Sequence, residues 1–193
     1  MSVKKVLIAC EESQTVCKAF RELGHEAFSC DLQDCSGGYP EWHIKGDALN
    51  VLWGQEWDLV IAHPPCTRIA NSGVSWLYKR NLWRDLADAV SFFNNFIIYG
   101  RSGKNICIKN PIPHSYAGLP KYTQLIQPWQ FGHGETKATC LWLFDLPVLT
   151  PTDIVSGREQ RLHRLPPGPD RAKERSKTYL GIAKAMAEQW GRL

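Results

Sequence analysis

The stretch Trp57-Asp58-Leu59-Val60-Ile61-Ala62-His63-Pro64-Pro65-Cys66 decides how the rest of the chain is read. Leu59 to Ala62 is a short, unbroken apolar run, the pattern of a strand buried on both faces of a sheet. Proline cannot donate to a ladder, so the strand must stop at Pro64-Pro65 and release Cys66 at its C-terminal end. Upstream, Lys5 to Cys10 is a second apolar run. A polar turn, Glu11-Glu12-Ser13-Gln14, separates it from Val16, Phe20 and Leu23, whose spacing is helical. Gly24 closes that helix, and His25 to Asp31 reads as a strand finishing on an acid.

A Gly/Pro-containing loop, Cys35 to Pro40, then leads to Gly46-Asp47. Downstream of Cys66, Leu82, Leu86, Val90, Phe93 and Ile97 keep helical spacing and predict one long amphipathic helix. Asn105 to Ile108 reads as a strand terminated by Lys109-Asn110-Pro111, and Cys140 to Phe144 as a sixth strand. Ile182, Ala183, Met186 and Trp190 share one face of a closing helix. Strands alternating with helices predict an α/β, Rossmann-like domain, a mostly parallel sheet with helices on both faces and a ligand crevice at the C-terminal strand ends. We expect one such domain over 1–193: a core over 1–113, a strand plus a basic, Pro-rich region over 114–179, and a packing helix over 180–193.

Composition agrees with a single folded unit. The 193 residues are 44% hydrophobic and 22% charged, close to an ordinary globular domain and far from a disordered chain. No apolar run approaches the length of a membrane span, and the N-terminus leads directly into a strand, which predicts a cytoplasmic protein with no membrane partner. Seven cysteines lie scattered without CxxC or zinc spacing, so most read as small buried hydrophobes in a reducing compartment, and no metal is expected. The net charge of +4 is concentrated at one end: residues 157–193 hold nine Lys/Arg against four Asp/Glu. Such a surplus suits phosphate contact, or a solvated basic loop.

These elements, in this order, resemble the DNA (cytosine-5) methyltransferases. Ala9-Cys10-Glu11, Trp57 to Thr67, Glu135 to Thr139 and Gly181 to Gly191 are most similar to the short methyltransferase-like proteins of bacteriophages. The resemblance implies a methyltransferase fold, S-adenosylmethionine as cofactor and DNA as partner, in the host cytoplasm if phage-encoded. It places the cofactor on Cys10, Glu11, Ser13, Asp31, Leu32, Asp47, Ala48, His63 and Pro64. Catalysis falls to Pro65, Cys66, Lys109 and Asn110, and DNA contact to Lys137; Thr139 beside it, and Arg171, Arg175 and Lys177 of the basic segment, are the further candidates for DNA contact that the residues themselves suggest.

Cys66 also stands on its own chemistry. Cytosine C5 is a poor nucleophile, and a thiolate added at C6 raises its electron density enough to attack a methyl sulfonium. A rigid, exposed cysteine just past a strand end meets that need; the alternative is one more buried thiol. Asp31 is placed like an acid that holds a ribose diol, or is a simple turn former. The β-strand-to-helix loop lacks a GxG, and Glu12 reads as a surface residue. The family's Glu-Asn is Lys109-Asn110 here, and lysine has donors only, so it cannot accept from an exocyclic amine. Asn110 is expected to hold the loop or a neighbouring backbone.

Two other readings fit these residues: an amino-methyltransferase acting on adenine N6 or cytosine N4, and a non-catalytic methyltransferase-fold binder of DNA or cofactor. Against the first, His63 and Cys66 flank Pro-Pro where an amide or acid and an aromatic are usual. For the second, no large sequence-reading region is present, so specificity is relaxed, short, or supplied by a second subunit of a homodimer.

Overall fold

The computed structural model describes residues 2–169 and 171–193. Seven strands form one sheet: β1 (Lys5–Ala9), β2 (Glu26–Asp31), β3 (His43–Lys45), β4 (Leu59–Ala62), β5 (Ile106–Pro111), β6 (Gln124–Ile126) and β7 (Thr139–Phe144). Their order across the sheet is β3-β2-β1-β4-β5-β7-β6. The pairs among β1 to β5 are all parallel; β7 runs antiparallel to both β5 and β6. The chain order reverses between β1 and β4, which creates a crevice outside their carboxyl ends.

Strand periodicity sorts the core into two layers. Val6, Ile8, Leu59 and Ile61 point to one face and meet α1 (Thr15–Glu22) and α7 (Leu180–Trp190) through Val16, Phe20, Met186 and Trp190. Leu7, Ala9, Val60 and Ala62 point the other way. There they meet α2 (Ala48–Gly54), α3 (Val74–Lys79) and α4 (Trp83–Arg101) through Leu52, Leu77, Phe93 and Phe96. The basic C-terminal region adds only two short helices, α5 (Arg161–Arg164) and α6 (Arg171–Ser176), and α6 buries none of its residues. No helix among the described residues is long and apolar enough to cross a membrane.

One boundary differs from the sequence expectation in a way that matters for the site. β5 does not stop at Ile108 but continues through Lys109, Asn110 and Pro111, paired with Leu141, Cys140 and Thr139 of β7. β4 covers β5 only as far as Ile108, so Pro111 closes a half-edge where its missing N–H leaves no ladder gap on that side. The strands β3 and β6, three residues each, were outside the sequence reading and extend the two edges.

Gly181 shows how tightly the last helix is seated. Its N–H donates to His133 Nε2 at 3.0 Å, and a Cβ placed on it would lie 1.9 Å from the Phe131 carbonyl oxygen. Replacing an unconstrained helical glycine by alanine gains up to about 1 kcal/mol, whereas forcing a side chain into packed backbone costs about 1–3 kcal/mol or more. The clash should win: Gly181→Ala should lower unfolding free energy by about 2 kcal/mol in urea titration, whereas a mere helix-propensity role would raise it.

Candidate active site

The carboxyl ends of β1, β2, β4 and β5 enclose a cavity of about 220 Å³. Its floor is the loop after β4: His63, Pro64, Pro65 and Cys66. One wall is the loop after β1, from Cys10 to Ser13, with Asp31 and Gln33 after β2. The opposite wall is Lys109, Asn110 and Pro111 of β5, with Lys137 and Thr139 beside β7. Arg175 and Ser176 reach over from the end of α6, and Thr178 from the segment between α6 and α7.

Backbone geometry explains the first wall. Cys10 has φ of 60° and Gln14 of 57°, so a left-handed turn is made here without glycine. That conformation costs a non-glycine residue of order 1–3 kcal/mol and persists where the surroundings hold it. The turn sends Glu11 inward, where its two carboxylate oxygens accept from the Val16 and Cys17 N–H groups at 2.9 and 3.2 Å. Glu11 therefore satisfies the orphan donors at the start of α1 instead of facing open cavity. Burial pushes its carboxyl upward, while these N–H groups and Lys109 oppose that rise. Glu12, expected at the surface, also turns toward the cavity. Its Oε2 is buried without a hydrogen-bond partner and pairs with Lys173 Nζ at 3.8 Å.

Strand alternation builds the second wall. Lys109 follows Ile108 and so faces the α1/α7 side, where its Nζ donates to Thr178 Oγ1 at 2.7 Å. Asn110 faces the other way and its Nδ2 donates to the Pro64 carbonyl at 2.8 Å, tying β5 to the Pro-Pro-Cys loop. Its Oδ1 is buried and unpartnered. His63 Nε2 is in the same condition. Thus three of the six buried side-chain polar atoms lacking a partner among the described residues belong to this one cavity: Glu12 Oε2, His63 Nε2 and Asn110 Oδ1. A clustering of unmet polar groups at a concave site is a mark of ligand binding.

The charges are divided between the walls. Asp31, Glu11 and Glu12 lie on the β1/β2 side; Lys109, Lys137 and Arg175 lie on the β5/β7 side. Burial lowers Lys109 to about 8, opposed by the Glu11 carboxylate. It lowers Lys137 to about 7, with repulsion from Lys109 adding to the effect. Lys137 Nζ keeps one donor on the Lys177 carbonyl at 2.9 Å. Both ammonium groups are within electrostatic reach of Cys66, and with burial they push His63 well below its ordinary value, leaving a neutral imidazole. Burial raises the thiols of Cys10, Cys17, Cys30, Cys107 and Cys140, with Cys17 at about 12 and Cys30 and Cys140 at about 11, which removes them as nucleophiles.

Several residues singled out from the sequence lie outside this lining. Asp47 Oδ1 accepts from Leu49 N–H at 2.7 Å and caps α2. Ala48 packs into the α2 face of the core, and Leu32 is exposed. Arg171 Nε donates to the Leu165 carbonyl at 2.8 Å, and Lys177 pairs with Glu174 at 2.6 Å. Thr178 was missed; nothing in a lone threonine before a helix signals that it will meet Lys109. A larger open groove, about 620 Å³, lies at the opposite edge among Lys4, Lys5, Glu56, Asp58 and Lys104. Its acids are bound to Lys104 and to the Lys5 N–H, and it holds no nucleophile. Among the described residues no cluster suits a metal ion.

No family model matches this sequence, and no curated protein is significantly similar to it.

The buried lysines make stability depend on pH in a definite direction. Lys137 binds its proton more weakly folded, at about 7, than unfolded, at 10.5. Below about pH 7 both states carry the proton and the folded state bears the full cost of burying it. That cost is relieved as pH rises from about 7 toward 10.5, because only the unfolded state is still protonated. Lys137→Met should therefore stabilise the protein most at pH 6, with the difference from wild type shrinking by pH 9 in parallel denaturant titrations. A pH-independent difference would place Lys137 in solvent.

Proposed function

We propose that the chain is an S-adenosylmethionine-dependent methyltransferase acting on a DNA base, and that the base is cytosine, methylated at C5 through Cys66. The observation that carries this reading is a single cavity, at the reversal of strand order, that joins a strand-end cysteine on a Pro-Pro loop to the acid closing β2. Ligands of open α/β sheets bind at that position.

The residues fit the cofactor. Asp31 uses Oδ1 to accept from the Gln33 N–H, at 3.0 Å, which fixes the carboxylate at the cavity edge where a ribose diol would meet it. Glu12 Oε2, which makes no hydrogen bond and is paired only with Lys173 at 3.8 Å, offers an acceptor of the right charge for an aminoacyl ammonium. Bound there, S-adenosylmethionine supplies an electrophilic methyl group. The Cys66 thiolate would add to cytosine C6 and raise electron density at C5; C5 would take the methyl group from the sulfonium, which leaves as the neutral thioether, and transfer of the C5 proton to water would expel the thiolate and restore the ring. Lys109 donates to the ring, and the free Asn110 Oδ1 provides the acceptor that lysine lacks for the exocyclic amine. Asn110 thus serves both walls, holding the loop with its amide nitrogen and presenting its oxygen to the base.

DNA containing 5-fluorocytosine should trap the wild-type protein covalently in the presence of cofactor, because fluorine cannot leave as the C5 proton does. Cys66→Ala should abolish the adduct and methyl transfer while keeping cofactor binding. Nucleoside mass spectrometry of methylated DNA decides the base and atom. An N4- or N6-methyl product would establish the amino-methyltransferase instead, and cofactor binding without transfer would establish a binder.

Arg175 lines the cavity, whereas Arg171 is tied to local backbone. Arg175→Gln should flatten the slope of log affinity for DNA against log salt by about one unit, the signature of one lost phosphate contact. Arg171→Gln should change it less.

A further inference from the structure

The loops that leave the site carry an aromatic surface that the proposed chemistry does not use. Trp76 and Tyr78 of α3, Trp83 at the start of α4 and Tyr116 in the turn after β5 are 46%, 59%, 39% and 53% exposed. Tyr78, Trp83 and Tyr116 meet one another edge to face, with centroids 5.0 to 5.7 Å apart. Arg80 lies over the Trp76 ring at 4.3 Å and Lys79 at 5.5 Å. Rings this exposed contribute little to a core, and Tyr116, from the turn after β5, joins Tyr78 and Trp83, which lie close together in the chain.

The surface is fixed to the cavity floor. Ile69 and Ala70 N–H groups both donate to the Cys66 carbonyl. Asn71 N–H donates to the Ile112 carbonyl at 2.9 Å and His114 N–H to Ile69 at 3.0 Å, so the loops after β4 and β5 form one body. His114 Nε2 bonds the Arg68 carbonyl at 2.7 Å, and its ring lies 6.0 Å from Tyr116. A Cβ on Gly73 would meet the Thr67 carbonyl at 2.7 Å, which shows how closely this turn is packed. A chain of hydrogen bonds thus links the Cys66 loop to the turn that carries Tyr116.

We propose that this surface stacks unpaired bases of the nucleic-acid strand whose target base enters the cavity, so that the preferred substrate is single-stranded or locally unpaired DNA. The proposal rests on the base-methylation reading only for where the strand leads. Its own support is the pairing of exposed rings with cations: Lys79 and Arg80 lie over Trp76 and Arg84 adds a further basic side chain, while Arg68 is paired with Asp85 at 3.2 Å. Stacking rings interleaved with basic side chains are the chemistry of single-strand recognition, because every base has a face to stack and every nucleotide a phosphate to neutralise. A duplex hides those faces.

Fluorescence anisotropy on a labelled DNA oligonucleotide, single-stranded and annealed to its complement, tests this. Wild-type protein should bind the single strand more tightly. Trp76→Ala and Tyr116→Ala should each weaken that binding by roughly fivefold to a hundredfold, while Trp76→Phe and Tyr116→Phe, which keep a ring, should retain it. Equal affinity for both forms, or alanine variants that bind as wild type, would overturn the proposal. So would sedimentation showing that wild type self-associates and Trp76→Ala does not, since the surface would then be an interface between copies. Covalent trapping at Cys66 is read separately: single-strand binding without trapping leaves this surface standing and removes the methyltransferase, and trapping on duplex DNA undisturbed by the aromatic variants does the reverse.

Discussion

The hydrogen bond from Asn110 Nδ2 to the Pro64 carbonyl, 2.8 Å long and fully enclosed, holds the working end of the molecule together. Two consecutive prolines deprive the loop after β4 of the donors that would anchor it to a neighbouring strand. Its buried carbonyl must still find a partner, because an unmet one costs about 1–3 kcal/mol. Only β5, by running beyond the reach of β4, brings a donor alongside. Cys66 is thus set by the alignment of two strands and not by its own packing, and the amide that secures it is left with a buried oxygen that makes no hydrogen bond.

The division of charge follows from the same sheet edge. Acids gather where β1 and β2 end because one left-handed turn at Cys10 redirects both Glu11 and Glu12. Glu11 is spent on the start of α1, where its charge also suits the helix dipole. Glu12 remains, ion-paired with Lys173 but without a hydrogen bond to its Oε2. On the far side Lys109 and Lys137 share a site that burial and mutual repulsion make unfavourable for two full charges. An anionic ligand would relieve that cost. The chain before α7 crosses this wall through Thr178 and the Lys177 carbonyl, so the basic C-terminal region contributes to the site by closing it as well as by its charge.

Reading the sequence located the strands that carry the site and the residues at their ends. Unbroken apolar runs at Leu7, Val60 and Ile106 can only be strands covered on both faces, a Pro-Pro must end a strand, and an acid after such a run sits on the crevice edge. That reasoning needs no neighbours, because burial and backbone freedom are properties of the local chain. The tertiary structure decided what depends on neighbours far away in the chain. β7 inserts antiparallel beside β5 and carries that strand through Pro111, which sends Lys109 to Thr178 and Asn110 to Pro64. A non-glycine residue can adopt the left-handed turn at Cys10 only because its surroundings hold it, so the absence of GxG misplaced Glu12 at the surface. Asp47 became a helix cap, and Tyr116 joined Tyr78 and Trp83 in one exposed aromatic cluster. Pattern specifies which side chains are buried, but pairing partner and side-chain direction are set by strands and loops that meet only when the sheet is assembled.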